Sequence, residues 1–186
     1  MLGPAFQLDL SQPQSHRFSV RLTFRAQQQR ESIALPSWTP GSYLERDYVR
    51  HLEGLQALVD GVPAQLERRS RHLWWLENLP LGAEVQLDYS LLAVEASVRT
   101  NWLDVETGFL TAAAWAMAVE SQRWQPQQLS LRCPDGWSVA TSLQPSAEGW
   151  RADTYDELVD SPLALGDLHE LSFAVGGVPQ IGRAHV

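Results

Sequence analysis

Phe18-Ser19-Val20-Arg21-Leu22-Thr23-Phe24 alternates apolar and polar side chains without a break. Successive side chains on a strand point to opposite faces, so this stretch predicts a β-strand with one face in a core and one in water. The same period recurs outward from it. Val85-Gln86-Leu87-Asp88-Tyr89-Ser90-Leu91 and Leu129-Ser130-Leu131-Arg132 alternate in the same way, as do the shorter Glu31-Ser32-Ile33-Ala34-Leu35 and Leu171-Ser172-Phe173-Ala174-Val175. Trp137-Ser138-Val139-Ala140-Thr141 follows the turn tripeptide Pro134-Asp135-Gly136. Asp60-Gly61, between Leu58-Val59 and Val62, has the composition of a hairpin tip, and Leu81-Gly82 and Gly176-Gly177 punctuate in the same manner. Many short strands separated by Gly, Pro and Asp predict a mainly β domain: a β-sandwich or saddle-like twisted sheets with little helix.

Two segments are harder to read. Residues 111–120 are Ala-rich, but Trp115, Met117 and Val119 alternate with Ala116 and Ala118, which predicts a strand after a short turn. Asp153, Asp156, Glu157 and Asp160 crowd one stretch. They lack the regular oxygen spacing of a calcium loop, so the stretch predicts a solvated acidic turn in which an Asp caps one short helical turn.

The chain has 186 residues, enough for one domain with a real core, and 44% of them are hydrophobic, including eight Trp. Fourteen basic residues, all Arg, stand against 22 acidic ones, for a formal charge of −8. That field repels nucleic acid, and no basic run interrupts it. No apolar stretch reaches the ~20 residues that a membrane helix needs, and the first residues lack the basic and apolar regions of a secretory signal. The compartment stays open between cytoplasm and periplasm. Cys133 is the sole cysteine, so it forms no internal disulfide, and it reads as a buried, inert thiol.

Catalytic patterns are missing. The five histidines, at 16, 51, 72, 169 and 185, include no His-Glu-x-x-His pair, and Gly-x-Ser-x-Gly and a phosphate-cradling Gly-rich loop are absent as well. Trp74-Trp75 alternate across a strand, and packing in the core or at an interface is the expected role of Trp102, Trp115, Trp124, Trp137 and Trp150. The unusual segment is Leu35-Pro36-Ser37-Trp38-Thr39-Pro40-Gly41-Ser42-Tyr43-Leu44-Glu45-Arg46-Asp47-Tyr48-Val49-Arg50-His51. Pro and Gly fix its path, while Trp38, Tyr43, Arg46, Asp47 and Arg50 give it amphipathic and charged contact groups. Such a loop builds a binding surface. It equally suits a structural corner in which Trp38 and Tyr43 plug the core and Arg46 pairs with Asp47 or Glu45. The candidate site is therefore Trp38, Pro40, Gly41, Ser42, Tyr43, Arg46, Asp47 and Arg50.

The same segment carries a resemblance. Leu35-Pro36 through Tyr43, with Arg46-Asp47-Tyr48 and Arg50-His51, resembles the N-terminal domain of the glycyl aminopeptidase family, zinc metallopeptidases that usually end in a PDZ domain. Ser15-His16-Arg17-Phe18-Ser19-Val20 resembles that family's opening strand. Tyr89 through Val98-Arg99, followed by Leu103-Asp104 and Gly108-Phe109, resembles its middle, and Tyr155-Asp156-Glu157-Leu158-Val159-Asp160-Ser161-Pro162 resembles its closing motif. The resemblance spans about residues 6–179. It implies a non-catalytic accessory β-domain beside a thermolysin-like catalytic domain that holds the zinc and its general base. It places no metal, cofactor or catalytic residue in this chain. The implied partners are that catalytic domain, in the same polypeptide, and a peptide substrate. Residues 1–180 then form the domain, and 181–186, Ile181-Gly182-Arg183-Ala184-His185-Val186, read as a non-native tail on a frame cut short before the catalytic part. The reading from another class is a free-standing β-sandwich module that binds peptide or glycan.

Overall fold

The computed structural model describes residues 3–40 and 43–185. Gly41 and Ser42 of the candidate loop, and Val186 of the tail, lie outside the described residues.

The strand Arg17–Arg25 forms as its alternation requires: Phe18, Val20, Leu22 and Phe24 are buried while Arg17, Ser19, Arg21 and Arg25 face water. It sits in the middle of an eight-stranded sheet. On one side it pairs antiparallel with Glu84–Leu92, matching Val20 to Tyr89 and Leu22 to Leu87, so both strands turn their apolar rows to one face. On the other side it pairs with Ala5–Asp9, which pairs in parallel with Gln127–Arg132. Gly149–Ala152 and Gln144–Ser146 extend that edge, and Leu52–Val59 and Val62–Ala64 extend the opposite one. Two four-stranded sheets complete the body. One runs Ala118–Val119, Glu31–Ala34, Leu73–Leu76, Glu67–Arg68, and the other Ser138–Ala140, Leu163–Gly166, Thr107–Leu110, Trp102–Leu103. Leu168–Val175 and Val178–His185 form a separate hairpin. The architecture is mainly β.

One continuous core joins the sheets: Phe6, Leu22 and Leu87 of the large sheet meet Ile33 and Leu76 of the second and Leu103 and Leu165 of the third. Each such side chain contributes roughly 1.5–3 kcal/mol relative to exposure. Trp115 lies at its centre, fully buried, with its ring edge-on to Phe6 at 5.6 Å. Asp60 and Gly61 form the tip between Leu52–Val59 and Val62–Ala64, both at positive φ (48° and 79°), the twist a two-residue hairpin needs.

Two sequence expectations are corrected. Residues 111–120 form no continuous strand: a 3-10 turn at Ala112–Ala114 leads through an irregular stretch to the two-residue strand Ala118–Val119. The run is buried on all sides, so its alternation carries no facing information. Buried phenols take its carbonyls instead of a neighbouring strand: Tyr89 donates to the Trp115 oxygen at 2.8 Å and Tyr155 to that of Ala116 at 2.7 Å. The short helix Tyr155–Val159 does form, but its cap is Thr154, whose hydroxyl accepts from the Glu157 N–H. Trp124 is not in the core; it is 73% exposed. Trp74 is buried, and its half-buried neighbour Trp75 lies beneath the guanidinium groups of Arg30 and Arg69, 4.5 and 4.2 Å from its ring. Cys133 is half-buried, and desolvation pushes its thiol up, away from thiolate chemistry.

Candidate functional site

The 36–51 segment leaves the strand Glu31–Ala34 and is pinched shut where the Arg46 N–H donates to the Ser37 carbonyl at 2.6 Å. Tyr43 is 98% exposed, Leu44 is exposed and Trp38 is half-exposed. The structural-corner reading is thus corrected: neither aromatic plugs the interior, because the closed loop carries them outward. Tyr48, at the start of the 3-10 turn Tyr48–His51, is the aromatic that enters the core. The expected ion pair also fails. Asp47 meets Arg71 at 2.9 Å across the loop, and no described carboxylate lies within ion-pair distance of Arg46. Arg50 pairs with Glu95 and donates to His51 Nε2 at 2.9 Å.

Two adjoining clefts flank the loop. The first, about 240 Å³, lies between Pro36, Trp38 and Pro40 on one wall and Arg123, Tyr155 and Asp160 on the other. Arg123 is held there by Asp156 at 2.7 Å, and its guanidinium lies 5.5 Å from the Tyr155 ring. The second, about 290 Å³, is bounded by Arg46 and Tyr48 from the loop and Val98 and Arg99 from the 94–101 connection, with Thr111 and Pro162 behind. Thr39, Pro40, Val159 and Asp160 line both clefts.

Each wall is fixed by its own hydrogen bonds. The 94–101 connection is closed by Thr100 Oγ1 donating to the Glu95 carbonyl at 2.8 Å, and Asn101 Oδ1 accepts from the Thr111 N–H at 3.1 Å. The helix Tyr155–Val159 is moored by its buried phenol and by the Tyr155 N–H donating to the Arg123 carbonyl at 2.9 Å. Burial pushes the Tyr155 hydroxyl well above the ordinary tyrosine range, so it stays a neutral donor.

Thus Trp38, Pro40 and Arg46 of the predicted site come together around the paired clefts, while Asp47 and Arg50 lie on the loop's far flank beside Arg71 and Trp74. Sequence reasoning missed Tyr48, Arg99 and Asp160 as cleft residues. Their signal was present, since all three stand in the motifs quoted above, but nothing in a linear chain places Val98-Arg99 against residue 46. A larger concavity, about 520 Å³ on the outer face of the eight-stranded sheet, is a weaker candidate because its charges satisfy one another, Arg21 with Asp88 at 2.8 Å and Arg132 with Asp9 at 3.4 Å. Among the described residues no three His, Cys, Asp or Glu side chains converge to hold a metal ion.

This fold is shared with aminopeptidases. The chain superposes with a TM-score of 0.86 on an aminopeptidase N family protein from Idiomarina loihiensis, with 32% identity over 96% of this chain and 32% of that one. An M1 zinc metallopeptidase from Deinococcus radiodurans shares the fold at a TM-score of 0.54 and 13% identity, over 98% of this chain and 46% of that one. The chain therefore spans about a third to a half of the length of these relatives. No curated protein matches its sequence. Residues 5–167 match the peptidase M61 N-terminal domain, and the chain belongs to that family.

Proposed function

We propose that this chain is the non-catalytic accessory domain of a zinc-dependent aminopeptidase of the glycyl aminopeptidase type. The observation that carries the reading is the family match over residues 5–167 in a chain whose described residues assemble no metal-binding cluster. Zinc, the scissile peptide and the general base belong to a catalytic domain beside it. This domain supplies a rigid wall, and the exposed aromatics of the 38–50 loop face the cleft where the two domains meet. The residues Trp38, Pro40, Gly41, Ser42, Tyr43, Arg46, Asp47 and Arg50 are the loop surface so assigned.

Reading the genomic DNA beyond the codon for Pro179 tests this directly. An in-frame His-Glu-x-x-His supports the accessory role, and a natural stop there overturns it. In the enzyme so recovered, Trp38→Ala and Tyr43→Ala are expected to change peptide turnover while leaving the melting temperature nearly constant, because Tyr43 is almost wholly in water, Trp38 is half-exposed, and neither belongs to the core. Unchanged kinetics would remove the loop from the cleft.

A further inference from the structure

Arginine in this protein is almost always spoken for. Arg17, Arg21, Arg25, Arg30, Arg50 and Arg69 meet carboxylates, as do Arg71, Arg123, Arg132 and Arg151. Arg68 donates to the Ser70 and Arg71 carbonyls and stacks near Trp74. Arg46 and Arg99 are the exceptions among the arginines whose side chains are described, in a chain with 22 acidic residues available to pair them. Both line the same cleft.

A third donor faces that space. Tyr48 is only 6% exposed, lines the cleft, and its hydroxyl has no hydrogen-bond partner among the described residues. Burial pushes its phenol up while the nearby charges of Arg46 and Arg99 pull it down, so both guanidinium groups act on this hydroxyl.

We propose that the Arg46–Tyr48–Arg99 cleft is a carboxylate-binding site that takes the C-terminal carboxylate of a short peptide. Guanidinium forks match a planar carboxylate with paired charge-assisted hydrogen bonds. The adjoining cleft walled by Trp38, Pro36 and Pro40 gives an apolar side chain of the same peptide a place to lie. Asp160, shared by both clefts, is the acceptor for a peptide N–H, and it makes no ion pair with Arg46 or Arg99 that would already fill the site.

Isothermal titration of the 186-residue chain with Ala-Ala-Phe, its C-terminal amide, and inorganic phosphate tests the assignment. The free acid is expected to bind at least about tenfold more tightly than the amide, the ratio that one lost charge-assisted hydrogen bond produces. Arg99→Gln, an exposed position, and Tyr48→Phe, which keeps the ring in the core, are each expected to weaken the free acid by about the same factor, with melting temperatures showing that both variants fold. Equal affinity for acid and amide overturns the carboxylate site. So does no binding of either at millimolar peptide. Phosphate binding as tightly as the peptide overturns the peptide assignment.

Discussion

Glu31 is the residue on which the loop's root depends. Its side chain is fully buried, yet the neighbouring groups are arranged around its charge: Oε1 accepts from the Gln27 and Gln28 N–H groups at 2.8 and 3.1 Å, and Oε2 from Ser121 at 2.5 Å. Removing the carboxylate would leave the two backbone N–H groups and the Ser121 hydroxyl without this acceptor. Glu31→Ala is therefore expected to lower the unfolding free energy by about 3 kcal/mol, and Glu31→Gln by less, in urea titrations; a loss within error of zero would mean that water replaces the acceptor. Asp104 sets part of the acid response. Partial burial pushes its carboxyl up, but hydrogen bonds from the Thr107 and Glu106 N–H groups, at 2.8 and 2.9 Å, outweigh that and hold it below the ordinary aspartate value. A depressed folded pKa adds stability above the unfolded value of about 3.9, and that stability is lost as pH falls through the folded value. Asp104→Asn should flatten the stability-versus-pH curve below about pH 4 and lower stability at neutrality, where the charged carboxylate contributes fully; an unaltered acid limb would show that other carboxyls govern it.

At the scale of elements, the short helix is the test of local coding. Thr154 caps it at 3.2 Å through the Glu157 N–H, while Glu157 reaches back to the Asp153 N–H at 2.6 Å, a reciprocal arrangement that holds a segment too short to persist alone. Thr154→Ala is expected to cost about 1 kcal/mol. Tyr155→Phe should cost about as much by stranding the Ala116 carbonyl. Chemical denaturation of both variants checks the pair, and a Tyr155→Phe cost near zero would argue that the phenol merely fills space. The strands with one wet face were legible because Phe18, Val20, Leu22 and Phe24 had to share a side. The helical turn at 155 was legible too, though its cap lay one residue beyond the Asp that the acidic cluster suggested. Residues 111–120 were not legible, since a run buried all round obeys neither period and its conformation is settled by where Tyr89 and Tyr155 place their hydroxyls. Edge strands of two or three residues, such as Trp102–Leu103 and Gln144–Ser146, are too short to carry a period at all.

At the scale of the whole molecule, the loop was recognisable from its own residues, but its pairing with Arg99 and Asp160 was not, because long-range contacts leave no trace in local composition. The molecule also carries apolar surface far from its core: Phe173, Val175 and Val178 are exposed on the Leu168–Val175/Val178–His185 hairpin, which pairs with no third strand among the described residues. A lone two-stranded ribbon of this kind invites association. Sedimentation velocity of the 186-residue chain is expected to show a coefficient that rises with concentration, and Phe173→Ser with Val178→Ser should suppress the rise; a concentration-independent monomer would refute this. The parallel pairing of Ala5–Asp9 with Gln127–Arg132 has a temporal meaning as well. The strand Ala5–Asp9 finds its parallel neighbour only after the long intervening stretch up to Gln127 has been made. Until then Phe6 and Leu8 have one partner, in Arg17–Arg25, and an open flank. Closure of the large sheet is thus a late event during synthesis, and the nascent chain passes through a stage in which an unpaired β edge is on offer to chaperones and to other chains.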